Sequence, residues 1–325
     1  MAVALLSIET LLEDFANGKR KFLVVDSRPE PEFLEGHIPR AIRIAWEDWC
    51  ETAPVEAAPI LHEPGYWGTL ADTGNNVFEQ RLISCGIKQH EPIVVYADSI
   101  RSKGREGRVA WMLLYLGASQ VFILDHGWNE WVRKGGPVET GDQFERSANQ
   151  QRSANQSERS DNEERSGNQY ERSGNDERSG QQSERTPGEF TIALDARRRI
   201  KHDDLFQNPD YEKQLPLMID TRTAAEFHGD CHDYQPFKGK LPNSILFPFA
   251  NLFESDGTFV SRERYLEITP ADILRSSSRV AYCEVGVRAA TFSLLHEIYA
   301  GEIIPVYDGS IIEWGWLRQT KSPTT

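Results

Sequence analysis

The stretch Val280–Ala290, VAYCEVGVRAA, ends an apolar run on Cys283 and follows it with Gly286 and Arg288 before a run of small helix formers. A cysteine reacts as its thiolate, and positive potential favours that form. A following helix offers unpaired N–H groups and the positive end of its dipole. Gly286 lets the backbone turn so that the amides from Glu284 through Val285 and Val287 to Arg288 can point inward as a nest. Arg288 adds a planar fork of donors. One sulfur nucleophile, a cradle of amides and one arginine suit attack on an anion. The other reading is a buried thiol at a strand end, with Arg288 paired to a surface acid.

The surrounding pattern places the cysteine. Short apolar strands are expected at Val24–Val25, 92–96, Val121–Leu124, Met218–Ile219, Val280–Tyr282 and 303–307. Helices are expected over Val109–Leu116 and Ala289–Tyr299. Strands that are apolar without alternation, separated by helices, predict parallel sheets covered on both faces. Ligands of such sheets sit beyond the carboxyl ends of the strands, and Cys283 lies at one of those ends. The N-terminus carries a helix with Ser7 as a candidate N-cap, or Thr10 with Glu13 as a capping box. No basic leader precedes it, which argues against a signal peptide.

Two halves repeat each other. LVVDSRPEPEFLEGHIPRAI (Leu23–Ile42) is answered by LMIDTRTAAEFHG (Leu217–Gly229) and GKLPNSI (Gly239–Ile245). PIVVYADS answers RVAYCEVG, and FILDHGWNEW answers PVYDGSIIEW, in the same order. Between the halves, residues 145–186 contain no Val, Ile, Leu, Met, Phe or Trp, and they repeat units such as ERSANQ and ERSGND. Such units have no apolar face to stack, so their ordering entropy is not repaid. The expected organisation is a first domain over 1–140, a disordered hydrophilic repeat linker over 141–188 and a second domain over 189–325.

Of the 325 residues, 39% are hydrophobic, the mean hydropathy is -0.54 and the formal net charge is -14. That charge argues against a nucleic-acid or anionic-membrane binder. The four cysteines, Cys50, Cys85, Cys231 and Cys283, form no C-x-x-C pair, so neither a zinc site nor a disulfide framework is expected. A cytoplasmic setting is the expectation.

The two DSR/DTR blocks, VAYCEVGVRAA and VYDGSIIEW together resemble the tandem-domain rhodanese-like sulfurtransferases, the thiosulfate and 3-mercaptopyruvate family, over everything but the linker and the ends. The resemblance implies an α/β chain of two rhodanese-like domains, each a mainly parallel sheet flanked by helices, of which only the second is catalytic. It implies a Cys283 persulfide formed from thiosulfate and discharged to cyanide or a thiol, with no metal or organic cofactor, nucleic acid or membrane as partner. Glu284, Val285, Gly286, Val287 and Arg288 then form the substrate-binding loop. Arg108 resembles the family arginine that reaches the anionic substrate, with Arg105 and Arg101 as lesser candidates. Asp220, Arg222, Asp308 and Ser310 support the loop, and Asp26, Arg28 and His37 answer them structurally in the first half. Lys240 stands where the second half would carry the histidine. Ala97 matches Cys283 in the first half, which leaves that half without a nucleophile. Glu284 departs from the basic or small residue usual after the cysteine. Facing inward, it would repel thiosulfate. The loop does not resemble the Gly-Ser-Gly-Val type, so thiosulfate is expected over mercaptopyruvate. The alternative is a sulfur-relay module that hands the persulfide to a protein partner. A phosphatase is disfavoured, because only four residues separate Cys283 from Arg288 and Tyr282 stands before the cysteine.

Overall fold

A computed structural model describes residues 2–18, 21–72, 74–141, 190–208, 210–231 and 234–321. Apart from Gly141, the linker expected over 141–188 lies outside the described residues.

Among the described residues two five-stranded sheets form. The first contains β1 (Val3–Leu6), β2 (Leu23–Asp26), β3 (Ile42–Arg43), β4 (Ile93–Tyr96) and β5 (Val121–Leu124) in the order β1-β5-β4-β2-β3. The second contains β6 (Arg199–Ile200), β7 (Leu217–Asp220), β8 (Ser244–Leu246), β9 (Arg279–Tyr282) and β10 (Val306–Tyr307) in the order β6-β10-β9-β7-β8. All pairings are parallel, with Leu23 opposite Ile93 in one sheet and Leu217 opposite Arg279 in the other. The two orders superimpose strand for strand, as a duplicated sequence requires. β4 and β9 hold the middle of their sheets, and helices cover both faces. Their uninterrupted apolar runs follow from that double burial.

Three elements differ from the expectation. Ser7 caps the first helix, Ile8–Ala16, its side chain accepting from the Thr10 amide at 3.2 Å, but Val3–Leu6 ahead of it is an edge strand. The last strand shortens to Val306–Tyr307. Pro305 has no N–H to donate, although its carbonyl accepts from Ala281 at 2.9 Å. The helix of the first half begins at Arg105, one turn earlier than Val109.

The halves meet through their central helices, Arg105–Leu116 and Val287–Ala300. Glu106 to Leu116 are all buried, because one side of that helix lies on its own sheet and the other on the partner helix. Contact is close: a Cβ on Gly107 would stand 2.0 Å from Thr291 Oγ1. Polar ties reinforce it. Trp111 Nε1 donates to the Arg198 carbonyl at 3.1 Å, and the Phe259 amide donates to Asp125 at 3.0 Å. No helix among the described residues is long and apolar enough to cross a membrane.

Candidate active site

Cys283 follows β9 directly and is 1% exposed. Its loop is fixed from behind. The Cys283 amide donates to Ser310 Oγ at 3.1 Å, and Ser310 Oγ donates to the Tyr307 carbonyl at 2.8 Å. Ser310 opens the helix Ser310–Lys321 with φ 54°, a left-handed conformation that a serine adopts only when its surroundings hold it. The first amides of that helix, Ile311 and Ile312, donate to the carbonyls of Cys283 and Glu284 at 3.4 and 3.3 Å. In a trans peptide the N–H points opposite its C=O. The amides of Glu284 and Val285 therefore point away from that helix. Gly286 then turns the chain at φ 79° into the helix Val287–Ala300, where any Cβ would stand 2.7 Å from the Asp308 carbonyl oxygen.

Behind Gly286 lies a buried charge cluster contributed by both halves. Asp308, 1% exposed, accepts from the Leu70 amide at 2.7 Å and Arg199 Nε at 3.1 Å. Arg108 is 3.8 Å from Asp308 and donates to the Gly68 carbonyl at 2.6 Å, its guanidinium over the rings of Trp111 and Trp46. Gly68 presses on Val285, where a Cβ would come within 2.6 Å of the valine Cβ. The structure thus places Arg108 beneath the loop rather than among the residues that line the cleft.

That cleft, of about 630 Å³, opens between the halves at the carboxyl ends of the strands, with Cys283, Glu284, Val285, Val287 and Arg288 in its wall. Thr221, Arg222, Glu226, Tyr234 and Gln235 of the second half form one side, and Trp46, Tyr66, Lys103 and Arg105 of the first half form the other. A wider groove of about 1250 Å³ lies at the amino ends of the strands. No cysteine lines it, and its Arg197, Arg198 and Arg279 are tied to Asp195, Glu297 and Glu302.

Arg288 is held by Glu226 in a bidentate pair, at 2.9 and 2.7 Å, with Glu284 at 3.8 Å. Glu226 and Thr223 form a capping box at the start of the helix Ala224–His228. Burial pushes the Glu226 carboxyl up, but Arg288 and Thr223 outweigh it and hold the group at about 2. Burial likewise pulls Arg288 down, and Glu226 together with the negative charge of a Cys283 thiolate outweighs it, so the arginine stays above its ordinary value. Asp220 and Arg222 reach the same loop through a relay. Asp220 pairs with Arg222 at 2.6 Å, Arg222 Nη1 donates to Gln235 at 3.1 Å, and Gln235 Nε2 donates to Glu284 at 2.9 Å. Glu284 therefore stands in the cleft wall with its carboxylate bound.

Cys283, Glu284 to Arg288, Asp220, Arg222, Asp308 and Ser310 converge on one place. The sequence reading missed Trp46, Tyr66, Lys103, Glu226, Tyr234 and Gln235. Of these only Glu226 left a signal, its capping-box spacing from Thr223. The first half repeats the frame without the chemistry. Tyr96 donates to Asp26 at 2.5 Å as Tyr282 donates to Asp220 at 2.7 Å, and both hydroxyls accept a backbone amide, from Ile38 and Leu241. Ala97 follows Tyr96 where Cys283 follows Tyr282. His37 stacks on Phe33 at 4.0 Å, and Lys240, at the corresponding place, lies over Phe227 at 4.2 Å.

Residues 7–134 match the model of the rhodanese-like domain, and the second sheet repeats the first strand for strand. The first half is thus a rhodanese-like domain. The 3-mercaptopyruvate sulfurtransferase of Mus musculus is 25% identical over 71% of this chain, and the match spans 65% of that enzyme, less than two thirds of its length. A putative thiosulfate sulfurtransferase of Haloferax volcanii is 24% identical over 95% of this chain and 91% of its own. The solved structure of SseA from Escherichia coli, a 3-mercaptopyruvate sulfotransferase, superimposes with a TM-score of 0.63 at 18% identity over 94% of this chain and 98% of its own. The fold is thus the tandem rhodanese fold, two rhodanese-like domains on one chain.

Proposed function

We propose that the chain is a sulfurtransferase that carries sulfane sulfur on Cys283. The observation that carries this reading is the place of Cys283 at the floor of the interdomain cleft, with alanine at the matching point of the first half. The Cys283 thiolate attacks the outer sulfur of a donor such as thiosulfate. A bond forms between the two sulfurs as the donor's own S–S bond breaks, and sulfite leaves with the electron pair. A thiolate or cyanide then attacks the outer sulfur of the Cys283 persulfide and frees the thiolate. This is covalent catalysis by an activated thiol. The first-turn amides of the helix Val287–Ala300 and the Arg288 charge stabilise the anion at each stage. Ser310 acts by fixing the Cys283 backbone, Asp220 and Arg222 act through Gln235, and Arg108 and Asp308 act by bracing the underside of the loop. Arg108 is thus a positioning residue in this reading, and Lys103 takes over contact with an anionic donor.

The relatives bear both donor names, so 3-mercaptopyruvate stands beside thiosulfate as donor. The test is turnover of each donor with cyanide or a thiol, compared with Cys283→Ser. The expected result is complete loss in the variant, and retained turnover would refute the reading. A wild type inert to small donors that still acquires sulfur from a protein would favour a relay.

A further inference from the structure

The wall of the cleft carries a carboxylate one residue from the nucleophile, and the cleft's arginines are otherwise occupied. Arg222 is paired with Asp220, Arg288 with Glu226 and Arg105 with Glu47. Glu284 accepts from two neutral donors, the Gln235 amide at 2.9 Å and the Tyr234 hydroxyl, with Arg288 shared at 3.8 Å, and its side chain keeps 23% exposure. Tyr234 stands beside it. Burial and then the negative charge of Glu284 push the Tyr234 hydroxyl well above its usual range. Tyr66, from the first half, meets Tyr234 with ring centroids 4.8 Å apart and planes tilted by 55°, and both rings line the cleft. A carboxylate in a cleft wall that two tyrosine rings also line is a setting in which an ammonium group can be attracted both by charge and by the ring quadrupoles. The chain's formal net charge of -14 adds a general field of the same sign.

We infer that the second half-reaction takes a thiol acceptor bearing an ammonium group, with its charge against Glu284 and its flank on Tyr66 and Tyr234. This rests on the sulfur-transfer reading above. Cys283 and Glu284 line the same cleft, and both act on the Arg288 guanidinium and the Tyr234 hydroxyl, so a short aminothiol can reach Glu284 and the Cys283 persulfide together. Its thiolate attacks the outer sulfur. One S–S bond forms as another breaks, Cys283 leaves as the thiolate, and the acceptor departs as a persulfide, with no oxidant or reductant required. Exposed Lys103, at the first-half rim, is left for the anionic donor of the first half-reaction.

The experiment loads wild-type protein and Glu284→Gln with sulfur from thiosulfate. It then follows the decay of the loaded mass on mixing with cysteamine or with mercaptoacetate. The ratio of the two rate constants, compared between proteins, cancels the intrinsic reactivity of each thiol. The ratio should fall about tenfold in Glu284→Gln and about threefold in Tyr66→Leu, the scale of a partly buried ion pair joined by a cation–π contact. A ratio within about twofold of wild type in Glu284→Gln would overturn the inference. A second arm uses 2-(methylthio)ethylammonium, which has no thiol and accepts no sulfur, in a calorimetric titration. Weaker binding by Glu284→Gln supports the ammonium subsite, and equal binding overturns it. Both results hold even if Cys283 takes up no sulfur, which would instead defeat the proposed function.

Discussion

Replacing Glu226 with glutamine isolates the pair that holds Arg288 at the mouth of the nucleophile loop. The two Arg288–Glu226 contacts, at 2.9 and 2.7 Å, join side chains only 15% and 11% exposed. Glutamine keeps the shape and an acceptor but removes the charge. Leaving a buried cation unanswered costs about 3–5 kcal/mol. The remaining exposure, and Glu284 at 3.8 Å, reduce that to roughly 2–3 kcal/mol. Protonation gives the same scale. The carboxyl falls from an ordinary 4.5 to about 2, and at about 1.4 kcal/mol per pH unit this is roughly 3 kcal/mol. The sign follows from the depressed value. The contribution is complete above pH 4.5 and is lost as the pH falls towards 2. Denaturant unfolding of wild type and Glu226→Gln should therefore differ by roughly 2–3 kcal/mol at neutral pH, and the gap should close by about half near pH 3. A gap below about 0.5 kcal/mol at neutral pH, or one that persists unchanged in acid, would refute the reasoning.

Two further substitutions probe the frame around the loop. Glu106, 2% exposed, is pushed by burial from 4.5 to about 7. Between those values the folded chain holds a proton that the unfolded chain has released, so stability falls as pH rises through that window, by at most about 3 kcal/mol. Unfolding free energy measured against pH should lose that slope in Glu106→Gln, and parallel curves would contradict it. Gly286→Ala combines a left-handed backbone at φ 79° with a Cβ 2.7 Å from the Asp308 carbonyl oxygen. It should cost at least about 2 kcal/mol and lower sulfur transfer along with stability. Wild-type values for both would show that the tight turn is dispensable.

The duplicated plan was legible because each central strand is a run of apolar residues with no alternation. Runs of that kind survive only between two covered faces. The loop was legible for a related reason: Cys283, Gly286 and Arg288 fall within six residues of the chain, so their proximity needs no tertiary knowledge. What escaped depends on packing between distant segments. Val3–Leu6 is four apolar residues abutting an amphipathic helix, and only pairing with β5 makes it a strand. Tyr66, Tyr234 and Gln235 come from irregular segments without periodicity, and they reach the cleft only because the two halves close on each other. Arg108 sits in a stretch whose sequence marks it as helical and basic. Its direction is set by Trp111 and Trp46 and by the Gly68 carbonyl, so it braces the loop from below. Arg288 read equally well as a loop donor or as half of an ion pair, and the structure gives it both settings, beside Cys283 and locked to Glu226.

Whether Cys283 carries the sulfur can be read from the mass of the intact protein after incubation with thiosulfate. The expected result is a gain of one sulfur atom, lost on adding cyanide and absent in Cys283→Ser. A gain retained in Cys283→Ser, or a wild type that stays at its original mass with thiosulfate and with 3-mercaptopyruvate alike, would contradict it.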